Sequence, residues 1–349
     1  MKRIKSFFSF LVVVFLVAGC TYIPVSNEPM AENMTVHFLD VGQGNAIFVE
    51  GPEGQTMLFD AGGDGDVGKQ IVDYIKKRGY DSLDIMIITH PHADHMNGAP
   101  YVLEQLRVGA VYHPKVTHTT KLFEDFVEVL KKKNLSLIPA QAGIDIPFGK
   151  IQAKILGPIS STYENLNNYS VVVRLDAGEF SVLLTGDIEA LAEEELLKGG
   201  IELQSDILQI PHHGSNTSST QAFLDDVNPK YSIISLASDN KYGHPHTEVQ
   251  ERLLALDTEV LRTDEYGTIV LTYKEDQILV KTEKDGKNSE LNQPYIDPNT
   301  GQGLIKGNKN SKIYHMPGGA NYNSVQDNNI IWFTTEREAI KAGYRKSKR

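Results

Sequence analysis

Residues 89–95 read Thr-His-Pro-His-Ala-Asp-His, which places His90, His92, Asp94 and His95 within six positions. The apolar-rich run just before them, residues 84–89, reads as a buried strand. Imidazoles and a carboxylate bunched where a strand gives way to a helix can aim at two points, His90 and His92 at one, Asp94 and His95 at the other. Solvation does not call for such clustering, whereas metal coordination does. Nitrogen and oxygen donors without a thiolate suit Zn²⁺, with Mn²⁺ or iron as further fits.

Other strings share this design. Residues 182–187, Val-Leu-Leu-Thr-Gly-Asp, form an apolar strand ending in Asp187, and residues 205–215 end in Pro-His-His-Gly-Ser, with His212 and His213. Residues 241–246, Lys-Tyr-Gly-His-Pro-His, add His244 and His246. Together these strings resemble the metallo-β-lactamase fold superfamily of metal-dependent hydrolases. Pro-His-His-Gly-Ser and Asn167-Asn168-Tyr169-Ser170 narrow the resemblance to the branch similar to the soluble hydrolase domain of the DNA-uptake protein ComEC. It spans residues 34–282.

The resemblance implies a role for each string. Asp187 would bridge two cations, although it could also cap the helix that follows. One of His212 and His213 would complete the second metal's ligands while the other faces substrate. His212 is favoured as the ligand, with the order left open. His246 would protonate the leaving oxygen, with His244 as second candidate, and Asp94 would double as a catalytic carboxylate. The family's usual third histidine for the first metal has no clear counterpart, since His113 and His118 lie in the wrong context. Asn168, Ser170, Ser215 and His244 would hold substrate or water. Asp40 and Asn45, flanking Val-Gly-Gln-Gly, would shape a supporting loop.

Composition narrows the setting. The net charge of −11 argues against a broad affinity for nucleic-acid phosphates. It is uneven: residues 301–349 hold nine Lys/Arg against three Asp/Glu, a balance of +6, which leaves the first 300 residues at −17. The single cysteine, Cys20, excludes an intrachain disulfide and a cysteine-held metal cluster. A basic start, an apolar run over residues 7–18 and Val-Ala-Gly before Cys20 read as a bacterial lipoprotein signal of residues 1–20. Lipidated Cys20 would anchor the protein at the outer face of the cell membrane, with residues 21–33 as tether. No run after residue 20 reads as a channel-forming span, so this chain is not expected to translocate DNA itself.

The elements alternate strand and helix in two successive halves over residues 34–283, which predicts an α/β fold, an αββα sandwich with two facing sheets. Residues 284–302, polar and rich in Gly, Asn and Pro, read as a linker. Residues 303–349 read as a small C-terminal accessory domain resembling those at the ends of secreted bacterial nucleases. Gly319 stands where many such modules carry cysteine.

Two adjacent cations imply hydrolysis. The ComEC-like resemblance implies a phosphodiesterase acting on DNA. A wall-polymer esterase of the phosphocholine type, acting on an anionic polymer, is the enzyme alternative. A DNA- or polymer-binding lipoprotein that has lost the chemistry is the alternative from another class.

Overall fold

The computed structural model describes residues 33–284, 295–298 and 300–347. The signal sequence, Cys20 and nearly all of the tether lie outside them. The chain opens with an antiparallel run, β1 (Asn33–Phe38), β2 (Ile47–Glu50) and β3 (Thr56–Phe59). Parallel additions follow, β4 (Ser82–Ile87), β5 (Arg107–Pro114) and β6 (Leu137–Ala140). The second half begins with antiparallel β7 (Asp145–Phe148), β8 (Ile151–Gly157), β9 (Val172–Ala177) and β10 (Phe180–Leu184). It continues in parallel through β11 (Ile207–Gln209), β12 (Tyr231–Ile234) and β13 (Glu259–Arg262). The chain then returns to the first sheet, where β14 (Ile269–Lys274) pairs with β1 and with β15 (Gln277–Thr282).

Two sheets result, ordered β15-β14-β1-β2-β3-β4-β5-β6 and β13-β12-β11-β10-β9-β8-β7. Their inner faces share one core, in which Phe38, Phe59 and Ile87 of the first sheet meet Ile155, Phe180 and Val182 of the second. Outside the first sheet pack α1 (Val67–Lys77), the one-turn α2 (Ala93–Met96), α3 (Ala99–Gln105) and α4 (Lys121–Lys132). Helix α1 buries Val67, Ile71, Val72 and Ile75, a stripe at helical spacing. Thr120 caps α4, its hydroxyl accepting from Phe123 N at 3.4 Å, and α4 turns Phe126 and Leu130 inward. Outside the second sheet lie α5 (Ala190–Lys198), α6 (Gln221–Val227) and α7 (Thr247–Ala255). This is the expected αββα sandwich.

Strands β6 and β7 carry little strand signal in their sequences. Each is an edge strand of four residues with an internal proline, Pro139 or Pro147. Proline cannot donate to a ladder, so it sits on edges and hides the strand signal.

A third sheet, ordered β18-β16-β17-β19, is built from β16 (Ile305–Asn308), β17 (Ile313–His315), β18 (Ile330–Phe333) and β19 (Arg345–Lys346). Its core is Ile305, Tyr314, Phe333, Ala339 and Tyr344. The helix Glu336–Lys341 is capped by Thr335, whose hydroxyl accepts from Glu338 N at 3.0 Å. The predicted linker is too long at its far end. Tyr295 N donates to Thr334 O at 2.7 Å, Leu304 N donates to Tyr295 O at 2.6 Å, and the Tyr295 side chain packs on this core. No helix among the described residues is long and apolar enough to cross a membrane.

Candidate metal centre

Every candidate ligand follows the C-terminal end of a parallel strand. His90, His92, Asp94 and His95 follow β4, Asp187 follows β10, and His213 follows β11. Parallel strands point their ends the same way, so loops distant in sequence collect at one edge of the sandwich. The two halves are tied there by Val171 N donating to Thr89 O at 3.1 Å.

Asp94, His95, Asp187 and His213 form a compact donor group, with one ligand atom of each within 4.8 Å of all the others. His95 Nε2 lies 3.1 Å from Asp187 Oδ2. His213 Nε2 lies 3.5 Å from Asp94 Oδ2 and 3.6 Å from Asp187 Oδ2. Ligands about 2.0–2.2 Å from one tetrahedral ion stand about 3.3–3.6 Å apart, so these spacings suit a shared cation. The atoms that would face it are also unclaimed: His95 Nε2, His213 Nε2 and Asp187 Oδ1 are buried and make no hydrogen bond. A second pair faces the same region, with His90 Nε2 2.9 Å from His92 Nδ1. The rings of His90 and His95 are 4.2 Å apart.

The far side of each imidazole is held by a neighbour, which sets its tautomer. His213 Nδ1 donates to Ser235 O at 2.7 Å. His95 Nδ1 donates to Asp60 Oδ2 at 2.7 Å. His90 Nδ1 lies 3.0 Å from Thr89 Oγ1 and 3.2 Å from Ser170 Oγ. Asp60, fully buried, also accepts from Thr89 N at 2.8 Å, Thr89 Oγ1 at 3.0 Å and Asn45 Nδ2 at 3.1 Å. This carboxylate went unread in the sequence, although it follows β3 as the other donors follow their strands. Asn45 does support the loop as expected, whereas Asp40 lies nearer the surface, paired with Lys284 at 2.8 Å.

Electrostatics agree with a cation-seeking site. Burial disfavours a charged His95, yet Asp187 and Asp60 outweigh it and hold its pKa well above the ordinary histidine range. Burial likewise opposes ionised Asp187, and His95 and His213 overcome it to hold that carboxyl well below its usual range. Burial, reinforced by His95, holds the His90 pKa well below the ordinary histidine range.

Backbone geometry decides between the paired histidines. His212 and His213 both take positive φ, +50° and +54°, followed by Gly214 at +82°. Left-handed backbone at consecutive non-glycine residues is strained and found mostly where function demands it. The turn puts His213 in the compact donor group and leaves His212, the residue favoured from the sequence, half-buried at the rim. His212 Nε2 lies 3.9 Å from Asp187, and its Nδ1 lies 3.4 Å from Glu189 Oε1 and 3.2 Å from Thr217 Oγ1. Glu189 also accepts from Thr217 Oγ1 and Asn167 Nδ2, a rim network that sequence reasoning missed.

Other assignments change as well. His244, ring centroid 5.6 Å from His212 and 6.3 Å from His213, stands closer to the donors than His246. His246 sits behind it, 4.9 Å ring to ring, with Nδ1 accepting from Asn216 N at 2.9 Å. His246, read as the proton donor, thus stands one ring behind His244. Asn168, Ser170 and Ser215, read as substrate contacts, are all buried. Asn168 Oδ1 accepts from Glu189 N, Ser170 Oγ accepts from Asp187 N, and Ser215 Oγ lies 3.0 Å from Thr217 Oγ1. These contacts brace the loops around the donor group. His113 is a core residue against Phe123 and Phe126.

Close packing of these loops requires glycine at position 62, where a Cβ would lie 2.0 Å from the Asp94 carbonyl and 2.2 Å from His95 N.

A sequence model of the metallo-beta-lactamase superfamily matches residues 39–238. The chain belongs to this superfamily. A second family, ArfC, matches residues 286–346. ComE operon protein 3 of Bacillus subtilis (strain 168) is 29% identical over 255 residues, 68% of this chain and 33% of that protein. Competence protein ComA of Neisseria gonorrhoeae is 31% identical over 258 residues, 73% of this chain and 34% of that protein. The chain thus spans about a third of the length of these curated relatives. Among solved structures, the metallo-beta-lactamase fold protein YhfI of Bacillus subtilis is 13% identical at a TM-score of 0.44, covering 66% of this chain and 95% of that one. This superfamily chain, related to competence proteins and ComEC-like in its hydrolase region, holds a candidate site for divalent cations.

Proposed function

We propose that the chain is a two-metal phosphodiesterase that cleaves nucleic acid at the outer face of the cell membrane, tethered through lipidated Cys20. The observation that carries this reading is the convergence of Asp94, His95, Asp187 and His213 beside the facing pair His90 and His92. The competence relatives favour nucleic acid as substrate class, and the sequence of residues 1–20 favours the location. Two divalent ions, zinc first and manganese second, would lie between these side chains. Bound there, they supply Lewis acidity that ionises water and stabilises charge on the attacking and leaving oxygens.

The chain's own residues set the rest. Asp187 belongs to the compact donor group and keeps one buried, unbonded oxygen. Asp60 and Ser235 hold His95 and His213 in the tautomers that present Nε2. His244, half-buried with an unbonded Nδ1, is the imidazole assigned to the leaving oxygen. His212, steadied by Glu189 and Thr217, faces the substrate from the rim.

The test uses the full chain in detergent, loaded with zinc or manganese. Hydrolysis of bis(p-nitrophenyl) phosphate and of linear DNA, lost in Asp187→Ala together with bound metal, supports the reading. Hydrolysis of a choline-bearing wall polymer with DNA left intact would replace it with an esterase. Wild type that takes up neither zinc nor manganese and is inert on all three substrates would leave a binding lipoprotein.

A further inference from the structure

The third sheet has two unlike faces. Ile305, Phe333, Ile331 and Tyr314 form the inner one, against the helix Glu336–Lys341. That helix also touches α7, and Arg337 donates to Thr258 O, so the inner face is turned toward the hydrolase body. Strand register fixes what remains outside. Lys306 pairs with Trp332 and with His315, while Asn308 pairs with Ile330 and Ile313, and Ile313 with Arg345. None of these outward residues is acidic.

Three features of this face point to one kind of ligand. Lys306 Nζ lies 4.4 Å from the Tyr322 ring centroid and 5.4 Å from that of Trp332, which is 36% exposed although large and apolar. His315, buried at the centre, has a buried Nδ1 that makes no hydrogen bond. The segment that carries this face is basic in a chain otherwise acidic, +6 over residues 301–349 against −11 for the whole, and Lys306 and Arg345 are its cations on the outward side. A polyanion repelled by the body meets a basic surface here. Aromatic rings beside a lysine on a partly exposed sheet face suit unpaired bases, which stack on rings while the cations take phosphates. A polyanion without bases would leave the rings unused.

We infer that this face docks single-stranded nucleic acid, with Trp332 and Tyr322 as stacking surfaces and Lys306 and Arg345 as phosphate contacts. The inference goes beyond the phosphodiesterase reading and stands without it, since binding is measured in chelator, where no metal-dependent cleavage occurs.

Trp332 is the chain's one tryptophan, so its emission reports directly on the face. The full chain in detergent is titrated with oligothymidylate, inorganic polyphosphate and phosphatidylglycerol vesicles. Oligothymidylate is expected to quench Trp332, with polyphosphate leaving the emission unchanged. By anisotropy of a labelled oligothymidylate, Trp332→Ala is expected to weaken binding roughly 10–100-fold, the range for loss of one stacking ring, and Trp332→Phe to restore most of it. Arg345→Ala, at an exposed edge position, is expected to reduce the salt slope by about one. Equal binding of polyphosphate and oligothymidylate, or unchanged binding in both Trp332→Ala and Arg345→Ala, overturns the inference. Vesicles shifting the Trp332 emission while oligothymidylate does not bind overturns it in favour of a membrane contact.

Discussion

Asp60 offers the sharpest mutational test of how the site is held. Its two oxygens accept four hydrogen bonds, Thr89 N on Oδ1 and Thr89 Oγ1, Asn45 Nδ2 and His95 Nδ1 on Oδ2. Asp60→Asn keeps the shape but turns one acceptor into a donor. If the amide nitrogen replaces Oδ1 it opposes Thr89 N–H; if it replaces Oδ2 it opposes the Asn45 amide and the His95 ring. Each opposed buried donor costs about 1–3 kcal/mol. The charge that orients His95 is lost in either case. Removing such a support typically lowers metal affinity about 10–100-fold, equivalent to about 1.4–2.7 kcal/mol. We expect both effects: metal-free stability in urea falls by about 2–4 kcal/mol, and zinc affinity by competition with a chromophoric chelator falls by one to two orders of magnitude. Asp60→Asn matching wild type in both measurements would refute the reasoning.

Three further outcomes follow from the same geometry. His213→Ala should abolish one ion's binding, while His212→Ala should keep the full metal content and lose turnover, as read by elemental analysis and assay; the reverse pattern would restore His212 as the ligand. Gly62→Ala drives a Cβ into the Asp94–His95 backbone and should cost about 1–3 kcal/mol or more, with weakened metal binding; a variant of wild-type stability would contradict that contact. His113 is buried, and burial pushes its pKa down to about 4. The unfolded chain therefore binds more protons below its ordinary histidine pKa of about 6.5, so stability is complete above about pH 6.5 and declines as pH falls toward 4. The decline attributable to this residue is on the order of 3 kcal/mol, and urea unfolding of metal-free His113→Leu should show a correspondingly flatter profile. An unchanged profile would remove His113 from the account.

What could be read beforehand was whatever the chain states locally. His90, His92, Asp94 and His95 are contiguous behind an apolar strand, and Asp187 sits at the end of another, so periodicity and residue type suffice to find them. Asp60 has the same placement, but alone before Ala-Gly-Gly it reads as a turn residue; its role exists only through His95, thirty-five positions away. The order of His212 and His213 depends on two left-handed residues that no propensity announces. His244 and His246 differ only in where the rings come to rest. Asn168 and Ser170 look like substrate contacts by type, yet their oxygens are taken by backbone amides of the Asp187 loop. Residues of the predicted linker joined a module because Tyr295 finds a partner strand and core distant in sequence.

The most direct measurement is anomalous diffraction at the zinc edge from crystals of the zinc-loaded protein. A peak enclosed by Asp94, His95, Asp187 and His213, with a neighbouring peak against His90 and His92, is the expected map. Zinc bound elsewhere, with these six side chains uncoordinated, would contradict the account.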